Sequence, residues 1–125
     1  MEKLQKELTP EFAKAFAQNW VDAWNSHDLE AVLSHYSDDF SIETPIALKL
    51  VPESGGRLAG KEKIRAYWKI GLESIPNLRF NIIDVLIGID SLTIYYINTA
   101  TGRKSAENLF FNAEMKVSRA FVMYS

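Results

Sequence analysis

Glu107 is the residue best placed to do chemistry. It interrupts a neutral and apolar stretch, Ala106-Glu107-Asn108-Leu109-Phe110-Phe111. On a strand facing a protein interior such an acid is desolvated, which raises its pKa toward the range where a carboxyl both gives and takes protons near neutral pH. The alternative is a surface role, with Glu107 facing solvent near Gly102 or paired with Arg103, Lys104 or Arg119. Asp84 breaks a second apolar run, Asn81-Ile82-Ile83-Asp84-Val85. It is either another interior carboxylate or an outward acid, or a partner across a subunit boundary. Asp38-Asp39 ends a helix and begins a strand, or forms a catalytic pair. His27 and His35 are eight residues apart, which is neither the i, i+4 spacing of a helical metal pair nor an HExxH motif. They read as surface or capping residues. Lys61-Glu62-Lys63 reads as a solvated first turn.

Other chemistries are excluded by what the chain lacks. It has no cysteine, hence no disulfide, no thiolate nucleophile and no Cys-based zinc site. Gly55-Gly56 and Gly60 match neither the dinucleotide nor the P-loop spacing. No metal and no cofactor are expected. A formal net charge of −2 with no Lys/Arg run argues against nucleic-acid binding. No apolar run approaches the ~20 residues of a membrane span, so no membrane partner is expected. Residues 1–12 are charged and amphipathic without a signal-peptide core, which reads as a cytoplasmic protein. The 125 residues read as one domain, 1–125, and 47% hydrophobic with 24% charged residues suits a folded core.

The elements that must hold these side chains follow from periodicity. Thr9-Pro10-Glu11 starts a helix: a hydroxyl cap, a proline whose missing N–H is harmless at the first position, then an acid. Phe12, Phe16, Trp20 and Trp24 recur at i, i+4, and Leu4 and Leu8 could extend their stripe. Asn25-Ser26-His27-Asp28 breaks the helix, and Ser26 or Asp28 caps the next one, whose buried face is Leu29, Val32, Leu33 and Tyr36. A strand over 40–44 stops at Pro45. Residues 46–51 read as an apolar loop covering something, and Arg57-Leu58-Ala59 as a short second strand. A third helix begins at Gly60, carries Ile64, Tyr67, Trp68, Leu72 and Ile75, and closes at Pro76-Asn77. Four strands over 78–89, 92–99, 103–112 and 115–124 then follow, with hairpin-sized turns that predict an antiparallel meander. Phe80, Ile82 and Leu86 lie on one parity and Ile83, Val85, Ile87 and Ile89 on the other. Apolar residues on both parities mean that both faces of the sheet are covered. Three helices cover one face; a second subunit is the economical cover for the other, which predicts a homodimer.

This order, with Trp24-Asn25, Asp28-Leu29, Tyr36-Ser37-Asp38-Asp39, Pro45, the run from Gly60 to Trp68 and Pro76-Asn77-Leu78-Arg79-Phe80, resembles the nuclear transport factor 2-like superfamily. The nearest branch is SnoaL-like and ketosteroid-isomerase-like. The resemblance implies an α+β fold, a cone-shaped, curved mixed β-sheet wrapped around three helices from the N-terminal side, that is, a cystatin-like α+β barrel. In the isomerases a tyrosine on the first helix and a late-strand acid donate hydrogen bonds to an enolate, while an aspartate ending the first strand moves the proton. Carried over by motif, these roles fall on Trp20, Glu107 and Thr44, and the supporting tyrosine falls on Trp68. The isomerase's base and phenol are therefore not retained.

The reading predicts an apolar pocket in the cone, lined by Trp20, Tyr36, Phe40, Ile42, Thr44, Tyr67, Trp68 and Glu107 and partly covered by residues 46–51. The aromatic residues among them equally suit a plain core. Such a pocket fits a small, flat, hydrophobic molecule such as a polyketide, steroid or terpenoid fragment. Two functions compete. One is a SnoaL-like enzyme with Glu107 as acid or base and Trp20 and Thr44 as hydrogen-bond donors. The other is a non-catalytic ligand-binding or dimerisation module.

Overall fold

The computed structural model describes residues 8–125. Leu4, one of the two residues proposed to lengthen the first apolar stripe, lies outside them. Helix α1, Pro10–Asn25, starts where Thr9 Oγ1 accepts a 3.1 Å hydrogen bond from Phe12 N. Its buried stripe, from Ala13 through Phe16 and Trp20 to Trp24, faces the sheet. Asp28, and not Ser26, caps helix α2, Leu29–Leu33, by accepting from Ala31 N.

Helix α2 ends sooner than its apolar spacing suggests. Tyr36, expected on its buried face, instead opens strand β1, Tyr36–Glu43, because the chain there is captured by pairing with Val117. Asp38-Asp39 are not a turn before the strand. They lie within β1, in an irregular stretch between the Tyr36–Val117 and Ser41–Arg119 pairings.

Residues 46–51 are not a loop. Helix α3, Pro45–Leu50, forms there, with Thr44 Oγ1 accepting from Ile46 N at 3.2 Å and proline at the first position. A single 3₁₀ turn, Pro52–Ser54, leads through Gly55 and Gly56 to strand β2, Arg57–Ala59. Gly56 has φ +86°, a conformation that residues with a Cβ rarely adopt, so the return past α3 favours glycine. Helix α4, Lys61–Ser74, supplies the other main helical wall.

Strands β3 (Phe80–Ile87), β4 (Ser91–Asn98), β5 (Arg103–Phe111) and β6 (Val117–Tyr124) form the meander. The sheet is six-stranded in the order β2-β1-β6-β5-β4-β3, antiparallel except for β1 against β6. A bulge between Ile82 and Asp84 gives β3 one extra residue against β4. It bends the strand and reverses the parity beyond it. Phe80 is thus buried whereas Leu86, of the same numerical parity, is 58% exposed.

The result is a curved mixed sheet with α1, α2, α4 and the unforeseen α3 on its concave side. The core there is Trp20, Leu33, Phe40, Ile64, Ile94 and Leu109, all essentially inaccessible to solvent. Asn25 ties α1 to the sheet edge. Its amide accepts from Phe80 N at 2.7 Å and donates to Phe80 O at 3.0 Å, serving the backbone of β3 as a strand neighbour would. No helix of the described residues is long and apolar enough to cross a membrane.

Candidate functional site

A cavity of about 250 Å³ lies between the concave face, α3 and α4. Helix α4 and the turn after it contribute Tyr67, Trp68, Leu72 and Ile75, and α1 contributes Trp24. The opposite wall is Ile42, Thr44 and Ile46, and the sheet supplies Phe80, Tyr96, Glu107, Val122 and Tyr124. Of the residues reaching the cavity, Leu50, Ser74, Thr101 and Arg103 are exposed, so it opens between α3, the end of α4 and the β4–β5 turn.

Glu107 sits on the concave face of β5, opposite Ile94 on one side and Val122 on the other. It is 9% exposed and accepts a 2.9 Å hydrogen bond on Oε1 from the Tyr96 hydroxyl. No ion pair to Glu107 occurs among the described residues. Burial pushes its carboxyl up to about 7, and the Tyr96 bond opposes that shift only in part. Burial likewise raises the phenols of Tyr36, Tyr67, Tyr96 and Tyr124, and the nearby Glu107 charge adds to each shift. The site therefore has one carboxyl that changes charge near neutrality, surrounded by phenols that keep their protons.

Of the residues expected to line a pocket, Ile42, Thr44, Tyr67, Trp68 and Glu107 border the cavity. Trp20, Tyr36 and Phe40 do not. They form the packed floor beneath it, at most 2% exposed. Trp20 cannot offer its indole N–H to a ligand, because Nε1 already donates to the Tyr36 hydroxyl at 3.0 Å. Thr44 caps α3, and its hydroxyl also lies 3.4 Å from that of Tyr124, to which it donates.

Sequence reasoning missed Tyr96, Tyr124, Trp24 and Arg103 as wall residues. The first two were findable: Tyr96 shares parity with Leu92 and Ile94, and Tyr124 with Ala120 and Val122, all buried. The phenols missing from the first helix are thus supplied by the meander. Trp24 Nε1 is buried without a hydrogen-bond partner among the described residues.

The remaining candidates stand apart from the cavity. Asp84 is exposed and bonds the following backbone N–H of Val85. Asp38 pairs with Lys61 at 3.4 Å, and Asp39 accepts from the Ser37 hydroxyl. His27 adopts φ 59° in the helix break and donates from Nε2 to Leu78 O at 2.9 Å. His35 is half-buried against Phe16, and burial lowers its pKa. Among the described residues no group of three or more His, Asp or Glu side chains comes together as a metal site.

The sequence profile of the SnoaL-like domain matches residues 17–117. The chain belongs to the SnoaL-like domain family. A SnoaL-like protein of unknown function from Burkholderia thailandensis is 42% identical and superposes with a TM-score of 0.91, over 96% of this chain and 99% of that one. A protein of unknown function with a cystatin-like fold from Methylobium petroleophilum shares the fold at 16% identity and TM-score 0.75, over 96% and 80% of the two chains. A nuclear transport factor 2-like protein of unknown function from Cytophaga hutchinsonii does so at 10% identity and TM-score 0.65, over 98% and 95%. No curated protein matches the chain.

In this SnoaL-like domain the positions onto which the resemblance carried the isomerase roles differ in their chemistry. At the late-strand acid position Glu107 is buried and bonded to a phenol. At the proton-shuttling position Thr44 has no titrating group, and its hydroxyl is committed to α3 and Tyr124. Glu107 is consequently the cavity's candidate for proton exchange, with Tyr67, Tyr96 and Tyr124 as hydroxyl donors on the same walls.

Proposed function

We propose that this SnoaL-like domain binds a small, mainly apolar organic molecule in its cavity, and that Glu107 exchanges a proton with a carbonyl compound held there. The observation that carries the reading is a buried carboxyl on an apolar wall, free of ion pairs among the described residues and poised at about 7. A carboxylate with that pKa takes a proton from a carbon beside a carbonyl more readily than a solvated glutamate does. Phenol donors nearby can stabilise the enolate oxygen that forms. A glutamate paired with arginine at the surface would have favoured simple binding; a carboxyl on the cavity wall with no ion-pair partner among the described residues favours acid/base chemistry.

Deuterium uptake into cyclic and aryl ketones in D₂O, followed by NMR, tests this. Enzyme-dependent exchange should fall roughly 100-fold or more in Glu107→Gln. If ligands bind but exchange is unaffected by that substitution, the catalytic role is lost and the binding module remains.

A homodimer formed through the outer face of the sheet belongs to the same proposal. Tyr95, Ile97, Phe110 and Phe121 are only partly covered there, and Met123 is 53% exposed. Cross-strand neighbours on β4, β5 and β6 bring them into one patch. A second copy of the same face is the closed, self-complementary way to cover such a patch.

A further inference from the structure

The polar end of the cavity is built from donors. Arg103 and Asn98 are direct cross-strand partners on β5 and β4, and both border the cavity. Arg103 is exposed, and among the described residues no Asp or Glu side chain lies within ion-pair distance of it; the side-chain ion pairs go to Arg57, Lys61 and Arg65. One of its N–H groups donates to Ser125 O at 3.3 Å, and the guanidinium lies 5.4 Å from the centre of the Tyr124 ring. That leaves most of its five donors without an acceptor among the described residues. Asn98, 9% exposed, accepts from Ala100 N on Oδ1 at 3.0 Å, which identifies the other atom of its amide as the NH₂ group. That nitrogen has no protein acceptor among the described residues, which leaves it able to donate to a group in the cavity that Asn98 borders.

We infer that the ligand is an apolar organic anion whose carboxylate is held by Arg103 and Asn98 at the open end of the cavity, with its carbon skeleton on Trp24, Trp68 and Leu72. This rests on the cavity being a ligand site. Two donors side by side match the two acceptor oxygens of one carboxylate. The apolar walls behind them suit a hydrocarbon body. Arg103 and Glu107 share a face of β5 four residues apart, which separates their Cα atoms by ~13 Å. The carboxylate at Arg103 therefore leaves the Glu107 end of the cavity to another part of the molecule, and two negative charges are not forced together.

Calorimetric titration with 2-naphthoate and with its neutral counterpart 2-naphthamide tests the inference. The wild-type protein should bind naphthoate roughly tenfold or more tightly than naphthamide. Arg103→Gln should bring the two within about twofold by weakening naphthoate alone, and Arg103→Lys should retain part of the preference. Near-UV circular dichroism checks that both variants keep the wild-type fold. Equal binding of both probes by the wild type overturns the anion inference and leaves the cavity reading standing. A full preference surviving in Arg103→Gln overturns the role of Arg103. Failure of both probes to bind at millimolar concentration overturns the cavity reading, and the inference with it.

Discussion

The Tyr96 hydroxyl meets Glu107 Oε1 at 2.9 Å along a diagonal of the β4–β5 ladder, since Tyr96 lies opposite Ser105 and Glu107 opposite Ile94. Diagonal neighbours on one face are within reach of long side chains. Both groups are buried, which disfavours the charged form of each; the Glu107 charge raises Tyr96 further, whereas the Tyr96 hydrogen bond favours the Glu107 carboxylate. Burial brings Glu107 up to about 7 and drives Tyr96 well above its ordinary value. The proton of the pair thus stays on the phenol, and Glu107 is the partner whose charge changes in the neutral range.

Glu107→Gln should stabilise the protein at alkaline pH and leave it unchanged in mild acid. Below the ordinary value of 4.5 Glu107 is protonated folded and unfolded, so its titration has no effect. Between 4.5 and about 7 the unfolded chain ionises while the folded one holds its proton, so wild-type stability falls as pH rises. Above 7 the full penalty is present, at most ~3 kcal/mol for a shift of this size. Urea denaturation of both proteins at pH 4.5 and pH 8 measures it. A constant difference between them across that range would remove the buried-carboxyl account.

Tyr96→Phe removes the one hydrogen bond that favours the charged carboxylate. The Glu107 midpoint should then rise above its wild-type position, readable by carboxyl ¹³C NMR, and the variant should lose ~1–2 kcal/mol at pH 8. An unchanged midpoint would mean that this bond has no influence on the carboxyl.

Trp20→Phe separates floor from wall. It deprives the buried Tyr36 hydroxyl of its partner and leaves a small void, so urea denaturation should show a loss of ~2–4 kcal/mol. Naphthoate affinity should stay within about twofold of wild type. Trp68→Ala, which opens the cavity wall, should weaken binding instead. Equal binding losses in the two variants would place Trp20 at the ligand.

Met123→Lys should turn a dimer into a monomer. Sedimentation velocity at micromolar concentration should give a dimer for the wild type and a monomer for the variant, because a buried, unpaired ammonium is strongly disfavoured. A wild-type monomer overturns the dimer outright.

Local chemistry made several features legible in the chain alone. Thr9-Pro10 announced α1, because a capping hydroxyl and a proline at the first position act within one turn. The same pair at Thr44-Pro45 starts α3, yet there it read as the stop of a strand. Both meanings are true at once, since Thr44 ends β1 and caps α3, and only the return of the chain through Gly56 decides that a helix of six residues is worth forming. The element order, the meander and the SnoaL-like resemblance likewise follow from periodicity and turn residues, which involve neighbours in sequence.

Which side chains reach the cavity was a different kind of question. The bulge at Ile82–Asp84 reverses which β3 residues face inward, and nothing in an apolar run marks where an extra residue will be inserted. Trp20 and Trp68 occupy similar helical stripes, but Trp20 is part of the packed floor, bonded to Tyr36 and stacked on Phe80, while Trp68 borders open space. Glu107 could be nominated from its apolar surroundings. Its partner could not, because Tyr96 and Glu107 meet only through the register of two strands, and register is set by the whole sheet packing on its helices. The sequence by itself determined three of the four helices, the strands and their order, and nominated the acid; the tertiary structure alone decided that α3 forms, that the acid faces the cavity and which residues surround it, since these depend on contacts between segments far apart in the chain.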